Sequence, residues 1–240
     1  MGSGRLPGKT MVDLDGRPLL WHLINRLRQT SGIDEISVAT SILKENDVIE
    51  DFCKNEKLFC YRGSEEDVLT RTLESLEAHD ADVGVIVYGD NPLVDPVVVD
   101  EVIDFYKVNR EYDWVGNDLL TTFPAGMEVE VFNVGALLDS SNRETDPSIR
   151  EHGTLHIRQN PNTYSLWNIE AEGVRRRPDL HLGVDVGEDL EVVRMIMKHF
   201  SNGAVFRLED IIEYLDRNPQ LPLRNRNVHR RWRKYRQSLL

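Results

Sequence analysis

Two acidic turns are the strongest candidates for chemistry in this sequence. Asp90 lies in the turn 89–92 after an apolar run, and Asp185 begins the acidic stretch 185–189 after a second apolar run. In open α/β sheets ligands gather beyond the carboxyl ends of the strands, where carboxylates can hold a divalent cation that neutralises phosphate. We therefore expect Asp90 and Asp185 to bind one Mg²⁺. Two alternatives stay open: Asp90 only closes a turn, and Asp189 belongs to the first turn of the following helix.

The start of the chain could form a phosphate-binding loop. Residues 2–9 read Gly-Ser-Gly-Arg-Leu-Pro-Gly-Lys. Glycines let backbone N–H groups approach an anion closely, and Arg5 and Lys9 add positive charge, so the segment could cradle a triphosphate. Its spacing differs from that of a Walker loop. The competing interpretation is a flexible chain start without a ligand.

A third cluster, Arg150-Glu151-His152, combines a cation, a carboxylate and an imidazole. Such a cluster could bind an anionic substrate or transfer a proton, and the alternative is a surface ion pair beside an exposed histidine. The seven histidines lack metal-ligand spacing, and no Gly-x-Ser-x-Gly or dinucleotide fingerprint occurs. Hydrolase and dehydrogenase functions therefore have no support.

The composition is that of a globular protein of 240 residues, with 40% hydrophobic and 29% charged residues. Cys53 and Cys60 are too few for a disulfide framework or a zinc site. No run approaches the roughly 18 apolar residues of a membrane span, and the N-terminus has no apolar signal region. We therefore expect a cytoplasmic protein without a membrane span.

The charge is distributed unevenly along the chain. Residues 217–240 hold eight of the 29 basic residues and no acidic one, which leaves 21 basic residues against all 41 acidic ones, a net charge of −20, for residues 1–216. Because an acidic body repels a nucleic-acid backbone, no nucleic-acid partner is expected. Phosphates must instead be bound by a few placed cations or by a metal.

Short β-rich runs alternate with amphipathic segments, which predicts an α/β fold with a mostly parallel sheet covered on both faces. The predicted strands are 35–40, 58–61, 83–88, 113–115, 127–132, 164–169 and 182–186. The predicted helices begin at Pro18 and at a Ser64 cap, and cover 45–54, 95–108, 188–200 and 208–215. We expect 83–88 to be a buried central strand. The alternation in 127–132 and 164–169 predicts half-exposed, antiparallel strands.

The basic end of the chain is predicted to form a separate element. Residues 218–222 are typical of a linker, and residues 227–239 place an apolar stripe that includes Trp232 on one helix face. The acidic body makes docking of this helix on the body or on a dimer partner the favoured interpretation, with Trp232 as anchor and without a part in catalysis. RNA, an anionic membrane surface and a disordered tail remain the alternatives.

Eight short motifs occur in an order that resembles a known family. They are residues 2–9, Gly16-Arg17-Pro18-Leu19-Leu20, Val38-Ala39-Thr40-Ser41, Arg62-Gly63-Ser64 with Asp67-Val68-Leu69, residues 89–93, residues 122–126 with Glu128 and Glu130, residues 150–152, and residues 184–189. The series, from residue 1 to about 200, resembles the sugar-acid cytidylyltransferases, most closely the spore-coat polysaccharide branch. The 3-deoxy-manno-octulosonate cytidylyltransferases are similar too.

The resemblance implies a three-layer, Rossmann-like nucleotide-diphospho-sugar transferase fold with a small antiparallel insertion. It also implies transfer of CMP from CTP to an acidic sugar, with Mg²⁺ as cofactor on Asp90 and Asp185. The implied catalytic residues are Arg5, Lys9, Asp90 and Asp185. The implied nucleotide-binding residues are Gly2, Ser3, Gly4, Arg5, Gly8, Lys9, Thr40, Arg62 and Asp90. The implied substrate-binding residues are Asn117, Gly126, Glu128, Arg150, Glu151 and His152.

The sequence also departs from the family pattern. Family members begin with a central strand before the Gly-Ser pair, so residues 1–216 are expected to form a nucleotidyltransferase domain without its first strand, followed by a basic linker and helix at 217–240. Ile86 and Tyr88 replace a usual Arg and Thr, and Ala125 replaces an Asp. A metal-dependent glycosyltransferase and a non-catalytic nucleotide-binding protein remain the alternatives. We expect a homodimer built on the segment from Thr121 to Asn168.

Overall fold

The computed structural model describes residues 5–200 and 205–230. Its helices are α1 (Leu19–Leu27), α2 (Asp47–Glu56), α3 (Val68–Glu77), α4 (Pro96–Val108), α5 (Val134–Arg143), α6 (Pro147–Arg150), α7 (Leu155–Gln159), α8 (Gly187–Phe200) and α9 (Leu208–Arg217). Its strands are β1 (Asp13–Leu14), β2 (Arg17–Pro18), β3 (Ser37–Ser41), β4 (Phe59–Gly63), β5 (Val83–Ile86), β6 (Trp114–Gly116), β7 (Glu130–Asn133) and β8 (Leu166–Asn168). The predicted α/β class is confirmed.

The strands form two main sheets and one small hairpin. β3 pairs with β4 in parallel, and a second sheet has the order β5-β7-β6-β8. β7 runs antiparallel to both β5 and β6, as expected, whereas β8 runs parallel to β6, so the antiparallel prediction for 164–169 is wrong. The expected half-exposure of β7 is also wrong, because β5 and β6 flank it and its Val131 and Phe132 are fully buried.

The core follows the apolar stripes predicted from the sequence. The stripe of α1 is buried throughout: Leu19, Leu20, Leu23, Ile24 and Leu27. It packs in one core with apolar residues of α4, α8 and α9. A second core lies around Trp114 of β6 and Phe132 of β7, with Leu69 and Leu73 of α3 packed on it. Burial of these side chains fixes the sheet in which β5 leads to the Asp90 turn.

The ends of two helices differ from the prediction by a few residues. Pro18 is the residue before α1 rather than its first helical residue. The cap of α3 is Asp67, whose carboxylate accepts the backbone N–H of Thr70 at 2.9 Å, and not Ser64. The Ser64 hydroxyl instead accepts the N–H of Asp67 at 3.0 Å, which forms a turn before the helix. Pro18 and Ser64 therefore each lie earlier, relative to their helix, than the position that the residue spacing predicted.

A cleft of about 610 Å³ separates the two main sheets. Ile36 and Ser37 line it beside β3, and Val83, Val85 and Val87 line it beside β5. Among the described strands, β3 pairs only with β4 and β5 only with β7. The run 83–88 therefore forms a short strand at a sheet edge, and the prediction of a buried central strand is wrong for this structure. The expectation of a missing first strand stays a prediction.

The basic end of the chain is attached to the body up to Arg230. Leu221 is 1% exposed and belongs to the main core, so residues 218–222 are anchored rather than a free linker. Residues 228–230 are not helical, which contradicts the first part of the helix predicted at 227–239. The remainder of that prediction, with its anchor Trp232, lies outside the described residues.

Candidate active site

The Asp90 turn is held in place by its backbone and by its neighbour. The N–H of Asn91 donates to the carbonyl of Tyr88 at 3.1 Å, and the carbonyl of Asp90 accepts the N–H of Val184 at 2.9 Å. The buried Asn91 side chain donates to Glu128 at 3.2 Å. The first acidic turn is therefore joined through its backbone to the segment that leads into the second.

That second segment is not the strand predicted at 182–186. It makes a single bridge, between His181 and Ala125, and the N–H of Leu182 donates to the carbonyl of Ala125 at 2.6 Å. The close approach depends on Gly126, whose φ is +103° and where an added Cβ would lie 2.4 Å from the backbone nitrogen of Gly183. A glycine is therefore required at position 126 to bring this segment beside Asp90.

Asp189 fixes the backbone that carries Asp185. Its carboxylate accepts the N–H groups of Asp185 and Val186 at 2.9 and 3.1 Å, just before α8. Asp189 thus belongs to the first turn of the helix, as in the alternative interpretation. Burial alone would raise the pKa of Asp189, but the hydrogen bonds from Arg230, together with its positive charge, lower it. Asp189 is therefore an ionised structural group.

The loop at the start of the chain brings two cations to the two carboxylates. The Lys9 ammonium hydrogen-bonds to Asp90 and lies 3.5 Å from an Asp185 oxygen. The Arg5 guanidinium lies 3.2 Å from the same Asp185 oxygen. Gly8 adopts a left-handed conformation, φ 71°, as the loop enters the short turn Lys9–Met11. The four residues predicted to be catalytic therefore meet in one place, whereas Gly2, Ser3 and Gly4 lie outside the described residues.

The two carboxylates fit a divalent cation. Both keep part of their surface open to solvent, and carboxylate oxygens are the ligands that Mg²⁺ prefers. The Lys9 ammonium, itself a cation, already contacts both of them. His181, Asp185 and Asp189 also place ligand atoms within 4.8 Å of one another. Asp189 is a poor ligand there, because Arg230 and Asn225 occupy its oxygens.

His181 and Arg230 are site residues that sequence reasoning did not single out. Burial, and after it the positive charge of Arg230, lower the pKa of His181 to about 4, so this imidazole is neutral at pH 7. Arg230 is 4% exposed and hydrogen-bonds to Asp189 through both terminal nitrogens. His181 carries no local sequence signal, and Arg230 is one of eight cations in the basic end, so spacing could not separate it from its neighbours.

The predicted nucleotide-binding residues Thr40 and Arg62 are register partners on β3 and β4. The Arg62 guanidinium donates to Asp47 at 2.7 Å and to Glu50 at 2.6 Å. It also reaches the carbonyls of Ser41 and Leu43. Arg62 is therefore committed to protein partners in this structure, and its role in nucleotide binding stays a prediction.

Three predicted substrate-binding residues shape the loop beside Asp90. Asn117 is buried, donates to the carbonyl of Met127 at 2.7 Å and accepts the N–H of Val129 at 2.9 Å. Glu128 accepts the N–H of Gly126 at 2.7 Å. Glu128 also accepts from Asn91, so Gly126 and Glu128 belong to the same assembly as Asp90. Asn117 supports this loop from within the core.

The cluster 150–152 lies in another network. Arg150 hydrogen-bonds to Asp67 at 2.9 Å and to Thr70 at 2.6 Å, both at the start of α3. It also donates to the carbonyls of Ser141 and Glu144. Glu151 is exposed, and burial lowers the pKa of His152. The cation of this cluster therefore ties α6 to α3 rather than joining the Asp90 and Asp185 carboxylates.

The sequence and the fold of this chain are similar to those of known proteins. A family model described as cytidylyltransferase matches residues 1–215. The spore coat polysaccharide biosynthesis protein SpsF of Bacillus subtilis is 33% identical over 225 residues, which cover 91% of this chain and 92% of that protein. A solved cytidylyltransferase from Leptospira borgpetersenii serovar Hardjo-bovis has a TM-score of 0.88 at 26% identity, over 96% of this chain and 95% of that one.

A further solved structure is similar in fold alone. It is CMP:2-keto-3-deoxy-manno-octonic acid synthetase in complex with CTP, with a TM-score of 0.64 at 18% identity over 83% of this chain and 95% of that one. The family model and the fold together define a nucleotidyltransferase. The chain belongs to the cytidylyltransferase family, which confirms the resemblance predicted from the motifs. In the described ranges, none of the helices has the length and apolar composition needed to cross a membrane.

Proposed function

We propose that the protein is a Mg²⁺-dependent enzyme that joins CMP from CTP to an acidic sugar and releases pyrophosphate, in the synthesis of a surface polysaccharide or another glycan. The observation that carries this proposal is the meeting of Arg5 and Lys9 with Asp90 and Asp185. Two cations for a triphosphate and two carboxylates for a metal are the parts that a phosphoryl-transfer site needs.

The reaction is a substitution at the α-phosphorus of CTP. A hydroxyl oxygen of the sugar forms a bond to the α-phosphorus, and the bond from that phosphorus to the oxygen bridging to the β-phosphate breaks. Pyrophosphate leaves with the electron pair of the broken bond, and the hydroxyl proton passes to solvent. Such a step requires alignment and charge neutralisation more than covalent chemistry from the protein.

The residues of this chain have separable parts in the proposal. Arg5 and Lys9 donate hydrogen bonds to the phosphate oxygens, and Asp90 and Asp185 hold the metal. Mg²⁺ bound there supplies positive charge to the phosphate oxygens. The contact of Gly126 with Gly183 keeps the two acidic segments at a fixed separation. Glu128 fixes the Gly126 loop through the backbone N–H.

The direct test is product analysis with the full chain. Purified protein is incubated with CTP, Mg²⁺ and a panel of acidic sugars that includes 3-deoxy-manno-octulosonate, and pyrophosphate and CMP-sugar are measured. We expect both products in equal amounts with one sugar, and neither without Mg²⁺. Asp104→Asn, a change at an exposed carboxylate on α4, is the matched control for Asp90→Asn. Transfer from a UDP-sugar, with no pyrophosphate from CTP, would instead support a glycosyltransferase.

The homodimer belongs to the same proposal. At the β8 edge of its sheet, Trp167 is 44% exposed and stacks on Phe105 with 5.6 Å between ring centroids. Leu120, which directly precedes the segment 121–168, is 43% exposed. An apolar sheet edge of this kind favours a protein contact. Sedimentation is expected to give the mass of two chains, and the mass of one chain at micromolar concentration would contradict the homodimer.

The cytoplasmic location stays a prediction.

A further inference from the structure

The carboxy-terminal segment 225–230 reaches into the candidate active site. Asn225 is 2% exposed, and its side chain donates to the carbonyl of His181 at 3.0 Å and to the Asp189 carboxylate at 2.9 Å. Arg230 donates to both oxygens of Asp189, at 2.6 and 2.7 Å, and to the carbonyl of Asn225 at 3.1 Å. The segment is therefore folded around one carboxylate at the start of α8.

That carboxylate is also the group that holds the loop carrying Asp185. Asp189 is fully buried, and the oxygen that accepts the N–H groups of Asp185 and Val186 also binds Arg230. A bidentate guanidinium fixes the plane of a carboxylate, which a single point charge does not. Arg230 therefore contributes, with Asn225 and the two backbone N–H groups, to the orientation of the Asp189 carboxylate.

The segment makes two further contacts, with Asp185 and with Arg5. A terminal nitrogen of Arg230 lies 3.6 Å from an oxygen of Asp185. Arg5 donates to the carbonyl of His229 at 3.2 Å. Arg5 and Lys9 keep 26% and 16% of their side-chain surface exposed, whereas Arg230 keeps 3%. Arg230 could not turn toward a phosphate without leaving the buried Asp189 carboxylate without its bidentate positive partner.

We propose that Arg230 is a positioning residue for the reaction, acting through Asp189 to hold Asp185 in the orientation that binds the divalent cation. The inference rests on the proposed function, since it takes Asp185 as a metal ligand. It assigns the described basic segment a part in the active site, where the sequence predicted docking without a part in catalysis. Partners that orient a metal ligand commonly change metal affinity or activity 10- to 100-fold when they are removed.

The test compares Arg230→Ala and Arg230→Lys with Arg226→Ala, which removes an exposed arginine of the same segment. Mn²⁺ binding to each full-length variant is measured by electron paramagnetic resonance, with and without CTP, at a temperature where thermal melting shows the variant to be folded. We expect Arg230→Ala to weaken Mn²⁺ binding and to lower kcat by about 10- to 100-fold. Arg230→Lys keeps the positive charge but not the bidentate contact with Asp189, so we expect a smaller loss of Mn²⁺ affinity and of kcat than in Arg230→Ala. Arg226→Ala should match the parent protein in both quantities.

The outcomes separate the two proposals. Parent protein that binds Mn²⁺ and CTP, together with folded Arg230 variants that bind Mn²⁺ equally well or more tightly, would overturn the positioning role and leave the proposed function standing. A lower melting temperature alone, without a change in Mn²⁺ affinity, would show that Arg230 only stabilises the fold. Parent protein that binds neither Mn²⁺ nor CTP would overturn both. If Arg230→Ala does not fold, Arg230→Lys decides the matter, because it keeps a cation against Asp189.

Discussion

The cations of the candidate site and the cation of the 150–152 cluster are equally accessible, yet their surroundings differ. Side-chain exposure is 26% for Arg5, 16% for Lys9 and 17% for Arg150. Arg150 binds Asp67 and Thr70 at the start of α3 and two backbone carbonyls at the end of α5, so its partners are parts of the folded backbone and its caps. Lys9 instead faces Asp90 and Asp185, two carboxylates that can exchange it for another cation. The kind of partner, rather than the exposed fraction of the side chain, distinguishes the cations of the candidate site from Arg150.

The largest effect is expected when a carboxylate of the site loses its charge. Asp90→Asn or Asp185→Asn should lower turnover at least about 100-fold, the loss typical of one charge-stabilising group. Thermal unfolding should change little, because partly exposed ion pairs contribute about 0–1 kcal/mol. Steady-state assays and melting curves measure the two quantities, with Asp51→Asn as an exposed control. Turnover like that of the parent protein would remove these residues from the metal site.

The next effect concerns the cations. Lys9→Ala should weaken CTP binding by about 1.5–3 kcal/mol, the range for hydrogen bonds to charged groups. Lys44→Ala, at an exposed lysine after β3, should leave CTP affinity unchanged. Isothermal titration calorimetry measures both variants. Equal CTP affinity in Lys9→Ala and the parent protein would mean that Lys9 serves the carboxylates alone.

Arg150→Ala tests the other side of the comparison. Since Arg150 ties α6 to α3, we expect the free energy of unfolding to fall by about 1–3 kcal/mol, with less than a threefold change in KM for the sugar. Arg143→Ala removes an exposed ion pair with Asp139 and should have a smaller effect. Urea unfolding and initial rates measure the two quantities. A large rise in KM at unchanged stability would restore the predicted substrate-binding role of Arg150.

The smallest effect is a pH dependence of stability away from the site. Burial lowers the pKa of His22, whose ring nitrogen hydrogen-bonds to the carbonyl of Leu14 at 2.5 Å. Because the unfolded chain takes up a proton on this histidine more readily than the folded protein, stability should fall as the pH drops below about 6.5. His22→Gln should reduce the pH dependence of the free energy of unfolding, which is measured by urea titration at several pH values. His199→Gln, at an exposed position of α8, should not.

Local sequence patterns were sufficient to predict the helices whose apolar residues recur on one buried face. The stripe of α1 and the Asp95-capped α4 formed as predicted, since each depends on neighbours within a few residues. The helices α5 and α7 were not predicted. The strand expected at 182–186 is absent from the structure because the segment contacts Ala125 and Asp90 by single hydrogen bonds rather than along a ladder. That arrangement depends on contacts between loops that are distant in sequence. The hydrophobic periodicity of a single segment does not indicate such contacts.

Site residues could be predicted only where a charged residue stands in a distinctive local sequence, such as a turn after an apolar run or a glycine-rich loop. Asp90 and Asp185 follow apolar runs, and Arg5 and Lys9 stand among glycines, so all four could be proposed from the sequence. Arg230 lies 41 positions from its partner Asp189 and resembles every other arginine of the basic end. Long-range pairs of this kind are settled by tertiary packing, so sequence spacing does not reveal them.

The cleft between β3 and β5 has a consequence for hydrogen exchange. In the described chain, the edges of these strands that face the cleft have no partner strand, so no neighbouring strand protects their backbone N–H groups. Amides on these edges should exchange with solvent faster than those of β7, which is paired on both sides. A strand placed in the cleft would protect the amides of β3 and β5 at the same time. The protection of both sheets is therefore coupled to the occupancy of one cleft.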